Sequence, residues 1–389
     1  MVLAFSSPIP FLHTSAKSHR CFLSARPLLH HQIALLPKHL QTPRYQRYDS
    51  PQMTLTPIPC VIGGAAIGIV TALNAVINGR VTGVSGAAGR AFKSIVYARN
   101  NIPYDDVLFV AGLIAGGVLF SQIMPASFSG AFVGGWARIV GAGLLVGFGS
   151  NMANGCTSGH GICGLARLSK RSIVNVITFM ISAMSTAAVA GTANLYRSVE
   201  STWLQSSAPP LNVSQAVIGL MIVALVPLLL TVFSRGRSFL RDAASKFIYF
   251  FFGAAFAYGL ALAQMTRSQK VVSFLDVTSP LWDPSLLFVF LGALPVAFLG
   301  FQWITRARKQ PLLCETPSLP TSTAITKNLV AGGALFGIGW GLEGYCPGPA
   351  LVNLGANYLD PRIWIFCAAL AAGSLLSELR KRIILESKT

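Results

Sequence analysis

The sequence predicts an all-α membrane protein of about nine transmembrane helices plus short re-entrant half-helices, arranged as two inverted repeats. Three observations carry that reading. Of 389 residues, 53% are hydrophobic and only 11% charged, against about 25% charged in an ordinary soluble domain. The apolar residues gather in runs close to the ~20 that a bilayer requires. One glycine-and-cysteine stretch also occurs twice, as Gly147-Phe-Gly-Ser-Asn-Met-Ala-Asn-Gly-Cys156 and as Gly337-Ile-Gly-Trp-Gly-Leu-Glu-Gly-Tyr-Cys346. A shift of 190 residues places Gly147, Gly149 and Cys156 on Gly337, Gly339 and Cys346.

The chain in order begins with residues 1–52, which hold Lys17, Arg20, Arg26, Lys38, Arg44 and Arg47 but the single acid Asp49. Three readings fit this stretch: an acid-poor transit peptide, a disordered basic tail, or sequence upstream of a true start at Met53. Nine spans follow, near 57–78, 106–124, 131–150, 171–191, 211–233, 246–265, 284–305, 326–342 and 361–379. The third and eighth are short and end in the Gly-Cys breaks. Residues 53–210 then form the first repeat, 211–233 a connecting helix and 234–389 the second repeat. Gly64-Ala-Ala resembles Gly253-Ala-Ala, and Leu108-Phe-Val resembles Leu287-Phe-Val. Because the connector is a single span, the second repeat enters the membrane from the opposite side.

The charges fix an orientation. Outside the tail, 19 Lys and Arg residues fall on the side that carries the C-terminus and 5 on the other, counting Arg138 inside a span with the latter. The positive-inside rule puts the C-terminus in the cytosol or its equivalent, hence a plasma membrane or a mitochondrial inner membrane with the C-terminus in the matrix. The formal net charge of +18 invites a nucleic-acid partner, but the basic residues alternate with hydrophobic spans instead of forming a soluble face. The lipid bilayer is the expected partner. Seven cysteines show neither a CxxC pair nor zinc-finger spacing, which argues against a disulfide framework. No Walker motif is present, and no cofactor or metal is expected.

Two broken helices at matching places in two halves point to a transport site. Cys346 precedes Pro347-Gly348-Pro349, and proline favours the first helical position, where its missing N–H is not needed. Cys346 is therefore expected to cap a half-helix whose free N–H groups form an anion site. Gly155-Cys156-Thr157-Ser158 gives the equivalent in the first half, with two hydroxyl donors added. The competing reading makes both cysteines small buried hydrophobes at tight breaks. Asn78-Gly-Arg-Val-Thr-Gly-Val-Ser85 and the stretch from Met265 to Asp276 follow the first and sixth spans. They read as a second pair of short helices lining the path, or as ordinary basic interface loops. His160 reads as a ligand or proton carrier, or as a helix-break histidine bonded to backbone. Cys163 has Asn353 as its counterpart and is optional.

Over about 57–379 these residues resemble the YeeE/YedE sulfur-transport family. Gly155-Cys-Thr-Ser-Gly-His-Gly-Ile-Cys-Gly-Leu-Ala-Arg-Leu-Ser is similar to the family's first-half signature and Gly337-Ile-Gly-Trp-Gly-Leu-x-Gly-Tyr-Cys-Pro-Gly-Pro-Ala to its second. Asn78-Gly-Arg and Lys270-Val-Val-x-Phe-Leu-Asp…Trp-Asp-Pro resemble the variant made as two half-size chains, here fused. The resemblance implies import of a small sulfur oxyanion, thiosulfate first, along an hourglass-shaped path. It implies that Cys156 and Cys346 contact the passing ion. Gly155, Thr157, Ser158, His160, Pro347, Gly348, Asn78 and Ser85 complete the expected lining. A third cysteine of such proteins has only Cys60 as a counterpart, without its motif. A soluble sulfur carrier or sulfurtransferase on the cytosolic side is an expected partner. The alternatives are a membrane sulfurtransferase or thiol-redox enzyme, which needs a reactive thiolate and a base, and a channel for another small anion.

Overall fold

The computed structural model describes residues 55–96, 102–128, 132, 134–193, 195, 212–234, 236, 238–306, 310–314 and 317–387. The tail 1–52 and the 198–210 loop lie outside them. Twelve α-helices follow one another among the described residues. In the first half they are α1 (Pro57–Asn78), α2 (Val84–Val96), α3 (Tyr104–Ile123), α4 (Trp136–Met152) and α5 (Lys170–Val189). A π-helical segment, Thr157–Gly164, separates α4 from α5. Next comes α6 (Val213–Phe233), and then α7 (Ser238–Leu262), α8 (Ser268–Leu275), α9 (Leu287–Arg306), α10 (Lys327–Glu343), α11 (Pro347–Ala356) and α12 (Pro361–Glu386).

Local chemistry sets the ends. Proline opens α1, α11 and α12, where its fixed φ is already helical. Ser169, Asn212, Thr326 and Asp360 cap α5, α6, α10 and α12 by accepting a backbone N–H, each cap contributing about 1 kcal/mol. Seven helices among the described residues are long and apolar enough to cross a membrane, and the chain is a multi-pass integral membrane protein. The 17-residue α4 and α10 are the spans that the sequence marks as short. Two spans outrun their expected limits. α7 begins at Ser238 and α12 continues to Glu386, so Arg241, Lys246, Arg380 and Lys381 sit on helix ends and not in loops.

Residues Met53–Thr389 form one compact unit. Its extensive helix pairs are α1 with α9, α3 with α7, α4 with α12, α4 with α10, and α5 with α10. Each joins the first half to the second. α6 touches α1 and α7 and otherwise exposes apolar side chains such as Met221, Leu225 and Leu229, as a lipid-facing helix does.

The crossings are made by glycines, in reciprocal fashion. A Cβ on Gly64 of α1 would stand 2.2 Å from the carbonyl oxygen of Val289 on α9; on Gly253 of α7 it would stand 2.1 Å from that of Phe109 on α3. Gly112 meets Phe250 O at 2.0 Å as Gly292 meets Val61 O at 2.1 Å. Backbones this close admit no side chain, the usual device of helix packing in a bilayer, where hydrophobicity does not drive helices together. The pairing equates Phe109 with Val289, one residue away from the register of the Leu-Phe-Val match.

Candidate functional site

Both Gly-Cys stretches break their helices in the same way. Asn154 (φ 58°) and Gly344 (φ 71°), equivalent in the repeat, take the left-handed conformation that Asn and Gly tolerate best. After them the chain reverses, and Cys156 and Cys346 stand as N-caps of the π-helical segment and of α11. Such π-turns are frequent at functional sites. The two starts meet. Thr157 Oγ1 donates to Cys346 Sγ at 3.6 Å, and Cys156 Sγ lies 3.4 Å from Ser158 Oγ. Ser158 Oγ also accepts the N–H of Val84, the first residue of α2, at 3.1 Å. The short helices α2 and α8 both reach the centre, since Val84 and Phe274 line the same cavity as the cysteines.

That cavity has a volume of about 40 Å³, room for two or three waters at roughly 10–15 Å³ each. Cys156, Thr157, Ser158, Cys346 and Gly348 supply its polar wall; the rest is apolar and includes Phe256, Leu260, Met265 and Phe290. Cys156 and Cys346 are 1% and 4% exposed, so both thiols are sealed from solvent. Gly155, His160 and Ser85 lie instead in a separate vestibule of about 340 Å³ on the face carrying the C-terminus. The π-helical turn and the start of α2 each line both spaces. Pro347 is buried at the first position of α11 without lining the cavity. Asn78 lines neither space, its amide donating to Asn74 Oδ1 at 2.9 Å while Asn74 holds Thr82 Oγ1 at 2.9 Å.

His160 is bonded to backbone. Its Nε2 lies 3.2 Å from the Ala153 carbonyl and its Nδ1 3.0 Å from Ser172 Oγ, so Nε2 donates and Nδ1 accepts. Neither nitrogen faces a thiol. Cys163 and Asn353, equivalent in the repeat, do the same work: Cys163 Sγ reaches Thr82 O at 3.6 Å and Asn353 Nδ2 reaches Thr266 O at 2.9 Å. Each holds the carbonyl of a break before a short helix. Cys60 donates to Ala263 O at 3.6 Å and lies outside the cavity.

Sequence reading missed the apolar wall and two buried ion pairs on the face away from the C-terminus. Lys270 pairs with Asp283 at 3.2 Å and bonds Thr56 Oγ1; Arg138 pairs with Glu343 at 3.1 Å. Glu343 and Asp283 are 0% and 1% exposed, which a carboxylate tolerates only when paired. Trp340, visible within the repeated motif, lines the cavity with its indole N–H unpartnered.

Two families match the chain. One, described as Sulphur transport, covers residues 21–185, and one of unknown function (DUF6691) covers 246–388. A probable transporter of Xylella fastidiosa (strain 9a5c) is 47% identical over 126 residues, which are 84% of that protein and 32% of this chain. A second, from strain Temecula1 / ATCC 700964, is 44% identical over 135 residues, 87% of that protein and 35% of this chain. Each relative is matched over most of its own length and about a third of this one. With the sulphur-transport match, the two curated relatives and the all-helical membrane fold together, the chain belongs to the YeeE/YedE family of sulfur-transport proteins.

Proposed function

We propose that this sulfur transporter carries thiosulfate into the cytosol or matrix, past Cys156 and Cys346, at the centre of two inverted repeats spanning 53–210 and 234–389. The observation that carries the reading is the meeting of the two half-helix starts, where Thr157 Oγ1 reaches Cys346 Sγ. Two cysteine N-caps from opposite halves share one small cavity. A dianion at this depth is very unfavourable unless paired or hydrogen-bonded. Opposed helix N-termini, the Thr157 and Ser158 hydroxyls and two thiols offset that penalty without a fixed counter-ion. The thiols act as neutral weak donors, since a thiolate would repel the substrate. Cys156 and Cys346 are sealed from solvent, so passage requires the two breaks to part and reclose. The reciprocal glycine crossings support the inverted repeats, and alternate rocking of the halves about these crossings gives each face access in turn.

The sulfurtransferase reading lacks a base. His160 is the nearest candidate, and its nitrogens are engaged by Ala153 and Ser172. We therefore favour transport without covalent chemistry, with a soluble sulfur carrier or sulfurtransferase taking the product on the C-terminal side. Uptake of labelled thiosulfate, sulfite and sulfate into a thiosulfate-requiring host tests the proposal. Thiosulfate uptake that depends on Cys156 and Cys346 is expected. Equal uptake of all three anions, or full uptake by the Cys156/Cys346 double serine variant, would replace it with a channel for small anions.

A further inference from the structure

The vestibule beside the π-helical turn carries cations that the ion pairs do not use. Arg167 Nη1 donates to Pro320 O at 2.8 Å and its Nε to Cys163 O at 3.3 Å, while its guanidinium lies 5.8 Å from the Phe301 ring centre. Arg171 Nη1 donates to Ser322 Oγ at 3.3 Å and Nη2 to Ala153 O at 3.5 Å. Neither has a carboxylate partner among the described residues. A guanidinium has five N–H donors, so donors remain on both. Ser85 adds a hydroxyl that is 9% exposed and unpartnered in the same space.

The opposite face shows what is different here. Arg362, at the position equivalent to Arg171, also reaches across to a connecting segment, donating to Phe132 O at 3.3 Å. Arg362 is neutralised, however, by both carboxylate oxygens of Asp360 at 2.9 and 3.1 Å. Asp360 is the N-cap of α12, and the N-cap of α5 at the same place is Ser169. One cap residue therefore decides whether the arginine behind it is paired or left available.

We propose that Arg167, Arg171 and Ser85 form a second binding site, for a free tetrahedral oxyanion dianion of the sulfate class, on the face carrying the C-terminus. The segment 317–322 stands over it, since Pro320 O and Ser322 Oγ each take one donor from the two guanidinium groups and leave the others to an anion. In the proposed transport cycle this site receives the ion after the cysteines and gives the path its direction. The site itself rests only on arginine and oxyanion chemistry, not on sulfur selectivity.

The test uses the full chain in nanodiscs of zwitterionic lipid, which excludes an anionic headgroup as ligand, with sulfate titrated by calorimetry. Wild type should bind sulfate. Ser169→Asp, which copies the Asp360–Arg362 pair and keeps an equally good cap, should weaken binding at least tenfold. The Arg167→Gln/Arg171→Gln double variant should do the same, and Gly141→Ala, whose added methyl meets nothing within 4 Å, should bind as wild type does. An unchanged melting profile for Ser169→Asp excludes misfolding as the cause. No sulfate binding by wild type, or full binding by Ser169→Asp, overturns the site. Sulfate binding without any thiosulfate uptake would keep the site and discard the transport proposal.

Discussion

Thr157 of the first half donates its hydroxyl to the thiol of Cys346 in the second, a single bond between the starts of two opposed half-helices. It ties the closed centre together, and its partners are the residues past which the substrate is proposed to move. Cys156→Ala and Cys346→Ala should each strongly reduce uptake at near-normal membrane abundance, with a stability loss of at most about 1–2 kcal/mol. Cys163→Ala and Cys367→Ala should be far milder. Substrate should slow labelling of Cys156 and Cys346 by a small thiol reagent. Normal uptake by the double variant would leave both thiols as packing alone.

The buried Arg138–Glu343 pair makes a separate prediction about stability. Glu343→Ala leaves a guanidinium that is largely buried without its carboxylate, and should destabilise by about 3–5 kcal/mol. Replacing both partners with Met and Leu should recover most of that loss. Melting of the detergent-purified variants reads both effects. A harmless Glu343→Ala would mean that Arg138 is held by Thr192 Oγ1 and Leu342 O alone.

Helix crossing is tested at its glycines. Gly64→Val and Gly253→Val should each destabilise by about 1–3 kcal/mol or abolish assembly, because the first added carbon meets a carbonyl oxygen. Gly141→Ala, with nothing within 4 Å of the new methyl, should be neutral or slightly stabilising. Equal behaviour of the three variants in size-exclusion and melting assays would contradict the close crossings.

Orientation follows from the distribution of charge. A tag at the C-terminus should be protected from outside reagents in intact cells, and a tag within 198–210 accessible. A chain started at Met53 should remain transport-competent, since the unit beginning there is compact by itself. Both tags on one side, or loss of folding on truncation, would refute these expectations.

Much of this was legible beforehand, for reasons that differ by residue. Hydropathy placed the seven long apolar helices, and the Gly-Cys repeat placed both breaks, because a proline after Cys346 and an Asn or Gly two residues before each cysteine encode a cap and a reversal locally. Partnership was not legible. Nothing local in Glu343 names Arg138, and nothing in Lys270 names Asp283. The cavity wall escaped because Phe256, Leu260 and Phe290 carry only hydrophobicity, which every span shares. Arg167 was read as a topology signal and a letter of the family signature, and Arg171 as a topology signal; the Ser169/Asp360 difference becomes informative only once the two caps are seen to hold equivalent arginines.

The helix pairs bear on how the protein is made. Every extensive contact joins a first-half helix to a second-half helix, so α1, α3 and α4 leave the ribosome with their glycine grooves unfilled, and α5 without the α10 glycines that pack on it. They must wait in lipid until α7 to α12 arrive. Such distant pairing slows assembly and leaves the early half open to chaperones and to quality-control proteases. A stall or truncation after α6 would therefore yield a membrane-inserted fragment with nothing to fold against, degraded as an orphan.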